Sequence, residues 1–412
     1  MNQADRAYHT VIVGGGQAGL SMSYLLSQQG TDHVILEKAD NPAESWRSRW
    51  DSFTLVTPNW QLQLPGHPYQ GDDPQGFLNR DEVVDYLEAY IDLFDPPLRH
   101  GVEVENVEEL QQGQGFRIQS EEGIYRAENT VIAVGTFQFP NLPEFSRDIP
   151  EDIHHLHSSA YQNPESLPNG PVMVVGSGQS GCQLAEELHE SGRRIYLCTS
   201  GATRLPRRYR GRDGMWWADQ LGIMDQTMED LDSPAERFNP NPHVSGQDGG
   251  KDINLHQFAQ KGIRLLGRLN DIDGTTAKLG EDLHENLARA DQFAEEFYQG
   301  VDKFVEKTGM EVPDENIHPL RDGYEQEEIS ELDLEAAGVQ SILWATGFSW
   351  DYSWVKPASL DKHGYPIQHR GVTEVPGLYF LGQHFLHTRK SGLFYGVGDD
   401  AVHIANKIQA ST

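Results

Sequence analysis

The chain is 412 residues long, 37% hydrophobic and 23% charged, which is enough apolar content for packed cores, enough length for two to three domains, and excludes wholesale disorder. Lys and Arg number 32 against 63 Asp and Glu, a formal charge of −31 that repels phosphate backbones and anionic lipid, so nucleic acid and membrane surfaces are not expected partners. No stretch approaches the roughly 18 apolar residues of a membrane span and no charged-then-apolar leader opens the chain, so a cytoplasmic protein is expected. Cys182 and Cys198 are the two cysteines, with no Cys-x-x-Cys spacing and no metal-ligand pattern, so neither a disulfide framework nor a metal site is expected.

In chain order, Thr10 to Val13 is a short apolar strand, Gly14-Gly15-Gly16-Gln17-Ala18-Gly19 follows at once, a helical pattern runs from Leu20 to Gln29, and His33 to Leu36 is a second strand ending in Glu37. This is a complete dinucleotide-binding unit. Gly14 suits the tight turn, Gly16 the close approach of pyrophosphate and Gly19 the packing of helix on strand, while Glu37 is placed to accept hydrogen bonds from an adenosine ribose. Trp46 to Trp60 is too aromatic for an ordinary surface loop and is expected to line something flat. Gly101 to Val104, Phe116 to Gln119 and Gly123 to Arg126 read as a small antiparallel meander, and Thr130 to Thr136 as a separate buried strand closed by Gly135.

The first unit then recurs: strand Val172 to Val175, turn Gly176-Ser177-Gly178-Gln179-Ser180-Gly181, a helix to about Glu190, and strand Arg194 to Cys198. Two such units imply two nucleotide sites. Where the first ends in Glu37, the second ends in Thr199-Ser200-Gly201 and then five arginines, Arg204, Arg207, Arg208, Arg210 and Arg212, with no acid between 201 and 212. A missing carboxylate beside guanidinium forks suits a ribose 2′-phosphate, with Arg204, Arg207 and Arg208 nearest the strand end; the alternative is a solvated basic loop. Residues 281 to 309 carry an amphipathic helical period, and 281 to 335 hold 18 acidic residues against 4 basic, a pattern read as a solvated face. Ser341 to Gly347 is a further strand with a glycine end; with Thr130 to Gly135 it flanks the second unit, where the chain is expected to leave and rejoin the first domain. Gly377 to Gly382 returns to apolar strand, and Gly396 to Asp399 opens a last helix whose N-terminus suits an anion forming on a reduced flavin.

The order of these motifs, with Trp46-Arg47, Thr57-Pro58-Asn59, Pro140 to Pro143, His157 to Tyr161 and Ala345-Thr346-Gly347-Phe348, resembles the flavin-containing monooxygenase-like branch of two-dinucleotide-domain flavoproteins, and within it a bacterial subfamily. The resemblance implies an α/β fold with two Rossmann-like domains of three-layer ββα form, the second inserted into the first. An FAD domain would span 1–165 and 330–412, and an NADPH domain 166–329 with a helical insertion at about 215–320. FAD contacts are then expected at Gly14, Gly16, Gln17, Ala18, Gly19, Glu37, Lys38, Trp46, Arg47, Val104, Gly135, Gly382, Gln383, Gly396 and Asp399. NADPH contacts fall at Gly176, Ser177, Gly178, Gln179, Ser180, Gly181, Ser200, Arg204, Arg207, Arg208, Thr346 and Gly347.

The implied chemistry is an NADPH- and FAD-dependent monooxygenase in which O2 adds to the flavin as a C4a-hydroperoxide and one oxygen passes to a small soft nucleophile, N-oxygenation of an amine ahead of S-oxygenation. Asn59 matches the family's flavin-side asparagine, a neutral amide that hydrogen-bonds the peroxide without protonating it. The family fingerprint F-x-G-x-x-x-H-x-x-x-(W, Y or F) is half present: His157 and Tyr161 hold its end, while Glu151 and Ile153 stand at its first two positions. That departure weakens a Baeyer–Villiger assignment, and His157 reads as a domain-linking residue. Two alternatives stay open: a flavin oxidase or NADPH reductase without oxygen transfer, and a redox sensor that holds both nucleotides. A homo-oligomer is neither required nor excluded.

Overall fold

The computed structural model describes residues 6–239 and 241–411. Its elements are, in chain order, β1 (Arg6–Val13), α1 (Gln17–Gln28), β2 (His33–Leu36), α2 (Arg80–Phe94), β3 (Leu98–Arg99), β4 (Val104–Glu109), β5 (Phe116–Ser120), β6 (Gly123–Ile132), β7 (His154–His157), β8 (Val172–Val175), α3 (Gln179–Glu190), β9 (Ile195–Cys198), α4 (Gly214–Gln220), α5 (Leu255–Lys261), β10 (Arg264–Leu266), β11 (Leu269–Asp273), β12 (Thr276–Leu279), α6 (Leu283–Thr308), β13 (Glu331–Asp333), β14 (Ser341–Trp344), β15 (Leu378–Phe380) and α7 (Val397–Ala410), besides short turns and ribbons.

The first sheet runs β3-β2-β1-β6-β5-β4, and β15 also pairs with β6. β6 is its axis. From Tyr125 to Ile132 it lies parallel to β1; on its other side its first half takes β5 antiparallel and its last three residues take β15 parallel. The meander arm and the buried strand expected as separate pieces are therefore one ten-residue strand. Its alternation of buried and exposed residues gives way to the unbroken buried run Asn129 to Ile132 because only the second half is covered on both faces. α1 places Leu20, Met22 and Leu26 against the sheet and stops at Gly30, whose φ of +68° provides the left-handed turn. α2 starts from an Asn79–Glu82 capping box and ends at Asp95 before Pro96.

The second sheet runs β7-β14-β8-β9-β10, all parallel. β7 and β14 belong here, so the seams expected at 165/166 and 329/330 cut through this sheet. The crossings lie farther out, at a two-stranded ribbon where Phe348–Ser349 pairs with Phe139–Pro140. Both passages between sheets meet there, and short apolar strands with glycine ends carry no mark of which sheet they join. The 215–320 segment is likewise not a helical insertion alone. It contributes β10 to the second sheet and, with β13, an antiparallel β11-β12-β13 sheet. Its helical part matches expectation: α6 is 26 residues long, buries Leu283, Leu287, Ala290, Ala294, Phe297 and Val301 along one stripe, and ends at Gly309. Burying each of the leucines, Phe297 and Val301 contributes about 1.5–3 kcal/mol. Among the described residues no helix is long and apolar enough to cross a membrane.

Candidate functional site: two nucleotide cradles

The two glycine turns fold alike. Gly14 has φ +107° and Gly176 φ +105°, and a side chain at either would meet a backbone oxygen at 2.6 Å, that of Ala133 or of Ala345. A Cβ at Gly19 would run into the Gly14 carbonyl oxygen, and one at Gly181 into that of Gly176. Gly16 and Gly178 face open space, each capping a twelve-residue helix. The N–H groups of Gln17, Ala18 and Gly19, and of Gln179, Ser180 and Gly181, precede the first intrahelical bond of each helix. Bare glycine, open space and unbonded N–H groups at a positive helix end are the features that suit a pyrophosphate, and the chain builds them twice.

The corners differ. Val13 pairs with Leu36 and Val175 with Cys198, so Glu37 and Thr199 hold matching positions. Glu37 accepts from the N–H of Gly15 at 2.5 Å and of Ala39 at 2.8 Å, which fixes its carboxylate beside the first turn with lone pairs left for ribose hydroxyls. Thr199 instead donates its hydroxyl to Leu266, and Ser200 donates its N–H to the buried Ser177 hydroxyl at 2.9 Å.

Around the first cradle, Gly382 packs its backbone against Ala18, and the buried Gln383 donates to the Ile132 carbonyl. Trp46 donates to Gln17 and stacks on Phe394 at 5.3 Å, while Gln17 also reaches Gly392. The aromatic segment thus joins the first turn to the loop that enters α7, whose N-terminus is Gly396 with Asp399 in its first turn. Gly135 has φ +66° and accepts from the Tyr352 hydroxyl. Lys38 is exposed, and Val104 begins β4. Arg47 is held by Glu88 at 2.6 Å.

Asn59 is 3% exposed; its Nδ2 donates to Asp73 and its Oδ1 accepts from Leu78, both at 2.9 Å. The amide expected to be free for the flavin thus already pins the 73–78 loop and keeps one N–H. His157 ties the end of β7 to the turn after β14: Nδ1 accepts from the Ser159 N–H, so Nε2 carries the proton that it donates to Gly347, and burial holds its pKa below the usual value. Thr346 donates to Asn141 across the same ribbon.

The arginine cluster is where the structure corrects the sequence most. Arg207 is 1% exposed and sealed in: it pairs with Asp213, donates to the carbonyls of Val56 and Ser245, and lies over the Phe77 ring at 4.8 Å. Arg204 turns inward to Asp291 at 3.4 Å, and Arg208 donates to Gly249. Arg210 binds Asp302, and Arg212 lies over Trp216. Gln179, expected as a nucleotide contact, spends both ends of its amide on the Val244 backbone. The basic run is engaged by carboxylates, carbonyls and rings drawn from the insertion, from Asp213 and from Val56 and Phe77 of the first domain, most of them remote in sequence.

Fold and site together define an oxidoreductase of the two-dinucleotide-fold class. Residues 11–211 match the family described as pyridine nucleotide-disulphide oxidoreductase. The chain is 33% identical over 400 residues to the uncharacterized oxidoreductase CzcO-like of Geobacillus kaustophilus, covering 97% of each chain, and it belongs to that CzcO-like oxidoreductase family. The resemblance to the flavin-containing monooxygenase-like branch holds in the fold. The flavin-containing monooxygenase of Stenotrophomonas maltophilia superposes with a TM-score of 0.67 at 19% identity, covering 98% of this chain and 99% of that one. The FAD-bound cadaverine monooxygenase DfoA of Erwinia amylovora does so with a TM-score of 0.67 at 15% identity, covering 98% and 95%.

Proposed function

We propose that this chain is an FAD- and NADPH-dependent monooxygenase acting on a small soft nucleophile, an amine ahead of a sulfide, with FAD in the Gly14–Gly19 cradle and NADPH in the Gly176–Gly181 cradle. The observation that carries this is one backbone cradle built twice with different corners, Glu37 at one and Thr199-Ser200-Gly201 at the other. The carboxylate suits two ribose hydroxyls and opposes a phosphate; the second corner brings no acid of its own.

Bound there, flavin would take electrons from the nicotinamide and supply the C4a position at which O2 reacts. The chain's residues do the rest. The helix N-termini at Gln17 and Gln179 neutralise the two pyrophosphates. Trp46, Phe394 and Phe53 form an apolar wall that limits water. The Asn59 amide holds the 73–78 loop in place, and its remaining N–H is a neutral donor that cannot release a proton to a peroxide. The preference for an amine rests on the surface charge of −31, which attracts cations weakly beyond about 10 Å of salt screening; of the structural neighbours, one is named for a cadaverine monooxygenase and another for an S-oxygenase.

The test is rapid mixing of the NADPH-reduced holoenzyme with O2, followed by a screen of amines, sulfides and ketones for NADPH use corrected for peroxide. A long-lived flavin absorbance unlike the oxidised or reduced form, with amine-dependent coupling, is expected. Immediate reoxidation with stoichiometric peroxide identifies an oxidase, and no reduction by NADPH removes both readings in favour of a sensor. Asn59→Ala should lower coupling; full coupling in that variant removes Asn59 from the flavin site.

A further inference from the structure

With all five arginines of 204–212 committed elsewhere, the end of β9 still faces a guanidinium, and it comes from a helix nearly ninety residues away in sequence. A side chain at Gly201 would collide with Arg289 Nη1, and the Arg289 Cζ lies 3.5 Å from where that Cβ would sit. The helix is fixed against this corner one turn earlier, where Asn286 donates to the buried Thr199 hydroxyl at 3.3 Å. Asn286 and Arg289 are three residues apart and share a face of α6, so the contact sets the arginine's place. Arg289 meets the strand end itself and stays free to change partners. Its side chain is 49% exposed, and its ion pair is with Glu285 at 2.9 Å, one turn back on the same helix and itself 73% exposed. Such exposed pairs are worth little and exchange partners readily.

We propose that Arg289 is the residue that selects the 2′-phosphate of the pyridine nucleotide, and that Glu285 is its resting counter-ion, displaced when the phosphate arrives. This rests on the reading of the second cradle as the NADPH site. Glycine at 201 is then required twice: it leaves room for the guanidinium, and it lets the backbone at the strand end approach the ribose. The acidic segment 281–335 acquires a function at one point, since α6 brings its one arginine to the corner where the sheet ends and carries Asp291 to hold Arg204 away from it.

The experiment is calorimetric titration of the FAD-loaded, full-length protein, its flavin reduced beforehand and O2 excluded so that the heat is that of binding, with NADPH, NADH, 2′,5′-ADP and 5′-ADP, for the natural chain and for Arg289→Ala, Arg289→Lys and Glu285→Gln. Arg289→Ala should weaken NADPH and 2′,5′-ADP by roughly tenfold to a hundredfold, the loss of charge-assisted hydrogen bonds, while NADH and 5′-ADP bind as before. Unchanged NADH binding also shows that the cradle is folded. Arg289→Lys should restore part of the preference, and Glu285→Gln should strengthen NADPH binding by removing the competing carboxylate. An Arg289→Ala protein that keeps the natural NADPH to NADH ratio overturns the proposal. A natural chain with no preference for NADPH overturns the cofactor assignment itself and the proposal with it, and the two failures are distinct because only the second is visible without a mutation.

Discussion

The Gly14–Gly19 and Gly176–Gly181 cradles share backbone to within a few degrees, yet they part at the first residue beyond the second strand, Glu37 in one and Thr199 in the other. The shared part is dictated by sterics: two glycines of each turn have no room for a Cβ. The divergent part is electrostatic, and it is completed from different distances. Glu37 is held by its own turn through Gly15 and Ala39. The second corner is completed by α6, so its charge depends on how a remote helix packs.

The strongest way to break the comparison is to fill the matched glycines. Gly19→Val and Gly181→Val each place a branched side chain against a carbonyl oxygen. The first should yield protein without bound flavin, and the second a yellow protein that no longer binds NADPH. Absorbance at purification and calorimetry read the two, and equal loss of both nucleotides in both variants would show that the cradles are not independent. Next is Arg207→Met, which strands Asp213 in the core. A loss of about 3 kcal/mol or more in denaturant unfolding is expected, with the NADPH to NADH ratio of the surviving fold unchanged. A changed ratio at unchanged stability would return Arg207 to the phosphate site.

Glu37→Gln sharpens the corner itself. FAD should bind roughly tenfold to a hundredfold more weakly, measured by fluorescence of released flavin, while NADPH affinity stays. The smallest effect is in acid. Burial holds His33 and His157 below the ordinary imidazole pKa and takes His243 and His384 down to about 4. A histidine whose folded pKa is depressed stabilises the fold above the unfolded value near 6.5, and that stability is lost as pH falls through the window toward 4. Melting temperature should drop between pH 7 and pH 5, and His243→Leu, which removes a fully buried imidazole, should flatten part of the slope. An unchanged slope in that variant would place the acid sensitivity elsewhere.

Much of the site was legible because its requirements are local. Gly14, Gly16, Gly19 and Glu37 lie within one strand–turn–helix–strand unit, and so do Gly176, Gly178 and Gly181, so spacing along the chain is spacing in space. The amphipathic stripe of α6 was legible for the same reason, since a helical period repeats every few residues. The arginine run misled because it is close in sequence to the strand end but its side chains are claimed by Asp213, Asp291, Asp302, Gly249 and Trp216, none of which a local pattern can assign. For Asn59 the sequence could not show that Asp73 and Leu78 take one N–H and the oxygen of its amide, leaving a single N–H for the role proposed above.

By itself the sequence determined that there are two nucleotide turns, that the first carries an acid and the second does not, and that the chain's net charge is strongly negative. Those are properties of composition and short-range geometry. Only tertiary structure decided which sheet takes β7 and β14, that β6 is one strand serving two sets of partners, and which guanidinium stands at the second corner. Strand partnership and long-range charge pairing are set by where elements pack, and packing brings Arg289 to Gly201 while drawing Arg207 into the core.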